Sequence, residues 1–242
     1  MKNDYAIEVE NLTKIIDGHT ILSKVTLGVK KGEIYGFLGA NGAGKTTLMK
    51  ALYRMLNPDS GSIIILGKEI SNNEYSVFKK MGSIIETPIF YEKFSAYKNL
   101  ELHCDYMGTQ YKKNIEKVLA LTGIGDTGEK PVKNFSLGMK QRLALARAIL
   151  TEPEILILDE PINGLDPKGI MEIREMLLKI NQENGTTIFI SSHILSEIAK
   201  MADTIGIIDK GVLLAEVSMT EILEKGIDLE AYYLKLLEGV RV

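Results

Sequence analysis

Apolar positions recur at strand spacing near the start of the chain, at helical spacing in its middle, and at both in turn towards its end. Residues 7–9 and 21–29 alternate apolar with polar, the pattern of strands buried on one face. Ile34–Leu38 is nearly continuous apolar sequence ending at Gly39, which predicts a parallel strand buried on both faces. Residues 46–56 carry Leu48, Met49, Leu52, Met55 and Leu56 on one helical face, and Asn57-Pro58-Asp59-Ser60-Gly61 predicts the stop. From about Phe94 to Leu150 the period is helical, with predicted helices at 100–107, 115–121 and 139–150 separated by glycine-containing breaks. Strands are then predicted at 155–158, 187–191, 204–208 and 212–217, with helices at 170–181 and 194–201 between them. Such alternation implies right-handed crossovers and a doubly wound, mostly parallel sheet, so the expected fold class is α/β.

Composition narrows the class. The chain has 242 residues, 45% hydrophobic and 25% charged, which excludes long disorder, collagen and a coiled-coil rod. This length suits one large domain or a domain with a subdomain, with a core that needs no disulfide or metal staple. Lys and Arg number 29 against 32 Asp and Glu, a net charge of −3, which argues against a dedicated nucleic-acid binder. The single cysteine, Cys104, excludes an internal disulfide, fits a reducing compartment and reads as a small core hydrophobe on a helix. Met1-Lys2-Asn3-Asp4 has no apolar signal stretch, Lys2 excludes myristoylation, and no run reaches the ~18–20 apolar residues that span a bilayer. The chain is expected not to cross a membrane by itself.

Two segments carry chemistry. Gly39-Ala40-Asn41-Gly42-Ala43-Gly44-Lys45-Thr46 fits G-x-x-x-x-G-K-[ST], with a buried strand before it and a helix opening through Thr46 and Thr47 after it. The backbone N–H groups of 39–44 can wrap a phosphate, the helix N-terminus adds partial positive charge, Lys45 can reach β and γ phosphates, and the Thr46 hydroxyl can bind Mg²⁺. Ile155-Leu156-Ile157-Leu158-Asp159-Glu160 delivers two carboxylates to the C-terminal edge of a strand, where ligands sit in such sheets. Asp159 would hold Mg²⁺ and Glu160 would orient or deprotonate the attacking water. Together they define a P-loop NTPase core. No Asn-Lys-x-Asp guanine reader is present.

Between these segments lies Phe135-Ser136-Leu137-Gly138-Met139-Lys140-Gln141-Arg142. Here the chain resembles the ATP-binding subunits of ATP-binding-cassette transporters, whose signature is Leu-Ser-Gly-Gly-Gln; Ser136 and Gly138 match it. Gly164-Leu165-Asp166-Pro167 resembles the family loop after the acid pair, and Ser191-Ser192-His193 resembles its switch-histidine segment. The resemblance spans residue 7 to about 239. It implies a single ATP-binding domain over 1–242, with a core at about 1–93 and 151–242, an antiparallel β subdomain at its N-terminal end, and an inserted helical subdomain at about 94–150. It also implies that ATP contacts Ser136, Gly138 and Asp166, that His193 acts at the γ-phosphate, and that two copies, or this chain and a paralogue, trap ATP between them. Integral membrane permease subunits are the implied partners, at the inner face of the cell membrane. The segment with Phe90, Tyr91, Phe94 and Tyr97 is the expected contact.

Beyond Phe135, Leu137 and Met139, which depart from the signature, two further positions depart from the family pattern. Ile16 stands where an adenine-stacking aromatic is usual, and Tyr5 replaces it only by folding back. Glu86 stands where the family's glutamine touches Mg²⁺. Glu86 accepts hydrogen bonds but cannot donate them when ionised, and it adds negative charge beside a metal. A glutamate here, with the Phe-Ser-Leu-Gly-Met signature, resembles the lantibiotic-immunity and bacitracin-resistance subset, which implies expulsion of an antimicrobial peptide. A soluble cassette ATPase and a nucleotide-gated binding module with little hydrolysis stay open as alternatives.

Overall fold

A run such as Ile155–Leu158 can bury both of its faces only between two layers, because side chains alternate across a strand. The computed structural model describes residues 4–70 and 75–239 and shows that layering. In chain order the strands are β1 (Tyr5–Ile16), β2 (His19–Lys30), β3 (Ile34–Leu38), β4 (Ser60–Ile65), β5 (Lys68–Glu69), β6 (Met81–Ile84), β7 (Ile155–Leu158), β8 (Thr187–Ser192), β9 (Thr204–Asp209) and β10 (Val212–Ser218). The helices are α1 (Lys45–Leu52), α2 (Ala96–Met107), α3 (Ile115–Leu121), α4 (Leu137–Ile149), α5 (Pro167–Asn184), α6 (Leu195–Ile198), α7 (Met219–Glu224) and α8 (Leu229–Leu237).

Strands β2-β1-β4-β5 form an antiparallel sheet, and β10-β9-β3-β8-β7-β6 form a second sheet that is parallel except for β10. Ile155 and Ile157 of β7 point into one apolar cluster with α1 and the antiparallel sheet; Leu156 and Leu158 point into another with α2, α3, α4 and α5. Phe37 and Phe189 repeat the first choice, Leu38 and Ile190 the second. The central strands therefore carry apolar residues on both faces, because each separates two cores. Cys104 is fully buried on α2, and burial raises its thiol pKa, so it behaves as a core side chain.

Several boundaries differ from the sequence expectation. Helix α1 stops at Leu52 rather than Leu56, because Arg54 takes a left-handed φ of 56° and leaves Met55 64% exposed. Helix α2 begins at Ala96, before the apolar periodicity is visible, because Ser95 caps it by accepting from the Lys98 amide. Helix α6 is a single turn where eight residues are expected. Strands β5 and β6 are too short to show a period, and β4 begins inside the turn signal at Ser60.

Candidate functional site

β3, β8 and β7 lie side by side, and their C-terminal ends open onto one edge of the sheet. From the end of β3 the chain turns through 39–44 into α1. Gly44 has a φ of 107°, and a Cβ there would come within 3.1 Å of Ile21 O, so a side chain at this position is strained. Main-chain bonds hold the loop: Ala43 N–H donates to Ala40 O at 3.1 Å, and Gly211 N–H donates to Ala43 O at 2.9 Å. Ala40, Asn41 and Gly42 are exposed at its crest. Lys45 is 5% exposed and its ammonium donates inward, to Gly39 O at 2.6 Å and Ala40 O at 3.1 Å.

The end of β7 carries the acids. Asp159 Oδ2 accepts from the Thr46 hydroxyl and Oδ1 from the Ser191 hydroxyl, each at 2.7 Å. Glu160 has a left-handed φ of 48° and donates its amide to Ser191 Oγ at 2.9 Å. Its Oε1 lies 3.1 Å from Lys45 Nζ and its Oε2 2.9 Å from His193 Nδ1. Lys45, Thr46, Asp159, Glu160 and His193 thus form one connected group beside the loop. The Thr46 and Asp159 oxygens converge as a hard cation requires. Among the described residues no group of three His, Cys, Asp or Glu side chains forms a metal site without further ligands.

The other expected site residues lie apart from this group. Among the described residues no hydrogen bond or ion pair joins Ser136, Gly138 or Asp166 to the 39–46 loop. Ser136 is exposed and caps α4, accepting from Met139 N at 3.3 Å. A Cβ on Gly138 would make ordinary contact, 3.5 Å, with Leu165. Asp166 caps α5 through Gly169 N at 2.9 Å, a structural use of a carboxylate expected at the nucleotide. Thr47 follows Thr46 into α1, half-buried. Ile16 is exposed at the tip of the β1–β2 hairpin, opposite His19. Tyr5, at the far end of β1, lies over Gly28 and does not replace an aromatic at Ile16. Glu86 takes a φ of 60° and pairs with Lys50 of α1 at 2.5 Å.

The aromatic segment divides. Phe90 packs on the core under the Arg147 guanidinium, 4.7 Å from the ring centroid, whereas Tyr91, Phe94 and Tyr97 are exposed. A groove of about 370 Å³ runs between Ile89, Phe90, Tyr91, Tyr106 and Arg147. Burial lowers the Arg147 pKa; burial first, and the Arg147 charge second, lowers that of His103 beside it. Asn99 ties the groove to α2, donating to Tyr91 O and Ser95 O and accepting from Tyr91 N.

Ser191, Lys50, Asn99 and Arg147 had no site role in the sequence reading. Ser191 carries only a partial signal, a polar residue ending the apolar run 188–190; its place beside the acid pair comes from the β7–β8 pairing. The other three act only through the tertiary fold.

A phosphate-wrapping loop, an acid pair on a nearby parallel strand and an imidazole on the strand between them define a nucleoside triphosphatase. The comparisons with known proteins carry this further. Residues 22–163 match the family described as "ABC transporter". The chain is 50% identical over 219 residues to the bacitracin transport ATP-binding protein BcrA of Enterococcus faecalis, covering 90% of this chain and 71% of that one. It is 45% identical over 210 residues to the lantibiotic transport ATP-binding protein SrtF of Streptococcus pyogenes, covering 87% and 90%. Its fold matches cbiO1 of Clostridium perfringens, part of an ABC transporter complex, with a TM-score of 0.83, 29% identity and coverage of 98% and 97%. The chain belongs to the ABC transporter family, as an ATP-binding subunit with ATPase activity. Subunits of this kind pair and work with membrane permeases. Among the described residues no helix is long and apolar enough to cross a membrane.

Proposed function

We propose that the chain hydrolyses ATP with Mg²⁺ to power a separate membrane permease that expels a bacitracin- or lantibiotic-like peptide. The observation that carries the catalytic part is the connected group Lys45, Thr46, Asp159, Glu160 and His193 at the strand ends. The cargo class rests on what BcrA and SrtF are named for.

In this reading the amides of 39–44 and the Lys45 ammonium hold the phosphates. Lys45 then exchanges its carbonyl partners and Glu160 for phosphate oxygens, which frees Glu160 Oε1 to orient and deprotonate a water in line with the γ-phosphate. Thr46 and Asp159 would hold Mg²⁺, which would supply charge neutralisation at the phosphates, and Glu86 stands at the rim of that site. His193 donates to the γ-phosphate while its Nδ1 is steadied by Glu160. Ile16 packs an aliphatic face on the adenine. Ser136 and Gly138, with Asp166 near them, complete the site of a second copy or close paralogue, because the start of α4 is bonded to nothing in its own phosphate loop. Residues 1–93 and 151–242 serve as the catalytic core and 94–150 as the helical subdomain. The segment with Phe90, Tyr91, Phe94 and Tyr97 docks the permease, so the chain works at the inner face of the cell membrane.

The test uses a host sensitised to bacitracin or a lantibiotic and carrying the cognate permease. The unaltered chain raises tolerance and Glu160→Gln abolishes the gain. Equal tolerance with the two forms overturns the reading.

A further inference from the structure

We propose that Lys50 is a positioning residue for nucleotide binding, whose work is to cancel the charge of Glu86 at the rim of the phosphate site. The inference rests on the assignment of that site to ATP.

Lys50 follows Thr46 by one turn of α1, so both side chains leave the same face of the helix. Thr46 bonds Asp159, and the Asp159 amide donates to Ile84 O at 2.7 Å across the β6–β7 pair. Glu86 stands two residues beyond Ile84, and its Oε1 returns to Lys50 Nζ. Thr46, Asp159, the end of β6, Glu86 and Lys50 therefore close a ring on one side of the phosphate loop.

The pair contributes little to folding. The Lys50 and Glu86 side chains are 29% and 58% exposed, and ion pairs this wet are worth little. Glu86 also holds a left-handed backbone, which costs free energy at a non-glycine residue. A polyanionic ligand changes the balance. An uncompensated carboxylate at the rim repels the phosphates, and repulsion grows with the charge they carry. With Lys50 in place, the rim presents a neutral pair.

Double-mutant titration separates this role from others. The probe is the slowly hydrolysed analogue AMP-PNP with Mg²⁺, bound to the full-length chain and followed by calorimetry. Lys50→Met is expected to weaken binding about five- to tenfold at low salt and less at high salt, where exposed charges are screened. Lys50→Met with Glu86→Gln is expected to return affinity to within about twofold of the parent, since no net charge then remains at the rim. Lys50→Arg retains affinity and guards against loss of the variant to misfolding. If the double variant binds as poorly as Lys50→Met, or Lys50→Met binds like the parent, the inference is overturned. A parent chain that fails to bind the probe instead overturns the assignment of the site.

Discussion

Ser191 transfers no proton, yet both acids are set by it. It is fully buried, donates to Asp159 Oδ1 and accepts from the Glu160 amide. Ser191→Ala leaves a carboxylate oxygen and an amide unpaired in a dry place, a cost of about 1–3 kcal/mol. The expected outcome is a lower melting temperature together with a kcat reduced about tenfold or more and a smaller change in KM. Thermal unfolding and steady-state phosphate release check it; normal turnover in a folded variant removes Ser191 from the proposed machinery. This residue also marks how far the sequence could be read. Lys45, Thr46, Asp159 and Glu160 were legible because a local motif fixes each of them. The bonds of Ser191 depend on β7 and β8 pairing with Leu158 opposite Ile190, and nothing local states that register. Asp166 shows the converse, since a helix cap and a ligand contact ask for the same short carboxylate, and its local sequence does not separate the two uses.

At the scale of an element, α4 links the exposed start at Ser136 to the aromatic segment at 89–90. Ser136 caps its start, and Arg147 in its last turn covers Phe90 and donates to Ile89 O at 2.9 Å. Arg147→Met keeps the packing volume but loses both contacts, so stability falls by about 1–2 kcal/mol. Limited proteolysis is expected to open first within 86–95; a digestion pattern like the parent's counts against the clamp. His103, beside Arg147, makes the same wall sensitive to acid. Burial lowers its folded pKa below the unfolded value near 6.5, so the neutral ring's contribution is complete above that value. It is lost as pH falls from 6.5 through the folded pKa. Melting temperatures across that window are expected to drop more steeply for the parent than for His103→Gln, and parallel slopes refute the link. The long helices were legible from apolar period. Their ends were not, because caps such as Ser95 and stops such as Arg54 are single-residue events that the period averages over.

In the proposed reading the whole molecule carries half of each of two sites. Its phosphate loop is complete, and its α4 start is exposed with no bond to that loop. Glu160→Gln removes the proposed base while keeping its size, so ATP with Mg²⁺ is expected to persist and hold two copies together. Gel filtration with saturating nucleotide is expected to move the variant from monomer to dimer, and a monomer under those conditions defeats the assigned role. The two-sheet architecture was legible only in part. The apolar strands announced the parallel sheet, whereas the antiparallel one adds β4 and β5 across a turn to the expected β1 and β2.

One detail reaches across both sheets. Gly211 donates its amide to Ala43 O and accepts Ser23 N–H at 2.8 Å, so two carbonyl–amide bonds stitch the phosphate loop to β2 and hence to the hairpin bearing Ile16. Side chains take no part in that seam. The exposed tip of the hairpin, Ile16 included, can therefore change its side chains without breaking these bonds. The seam has one weak stitch: at Gly211, with a φ of 79°, any Cβ would sit 2.2 Å from Ile21 O.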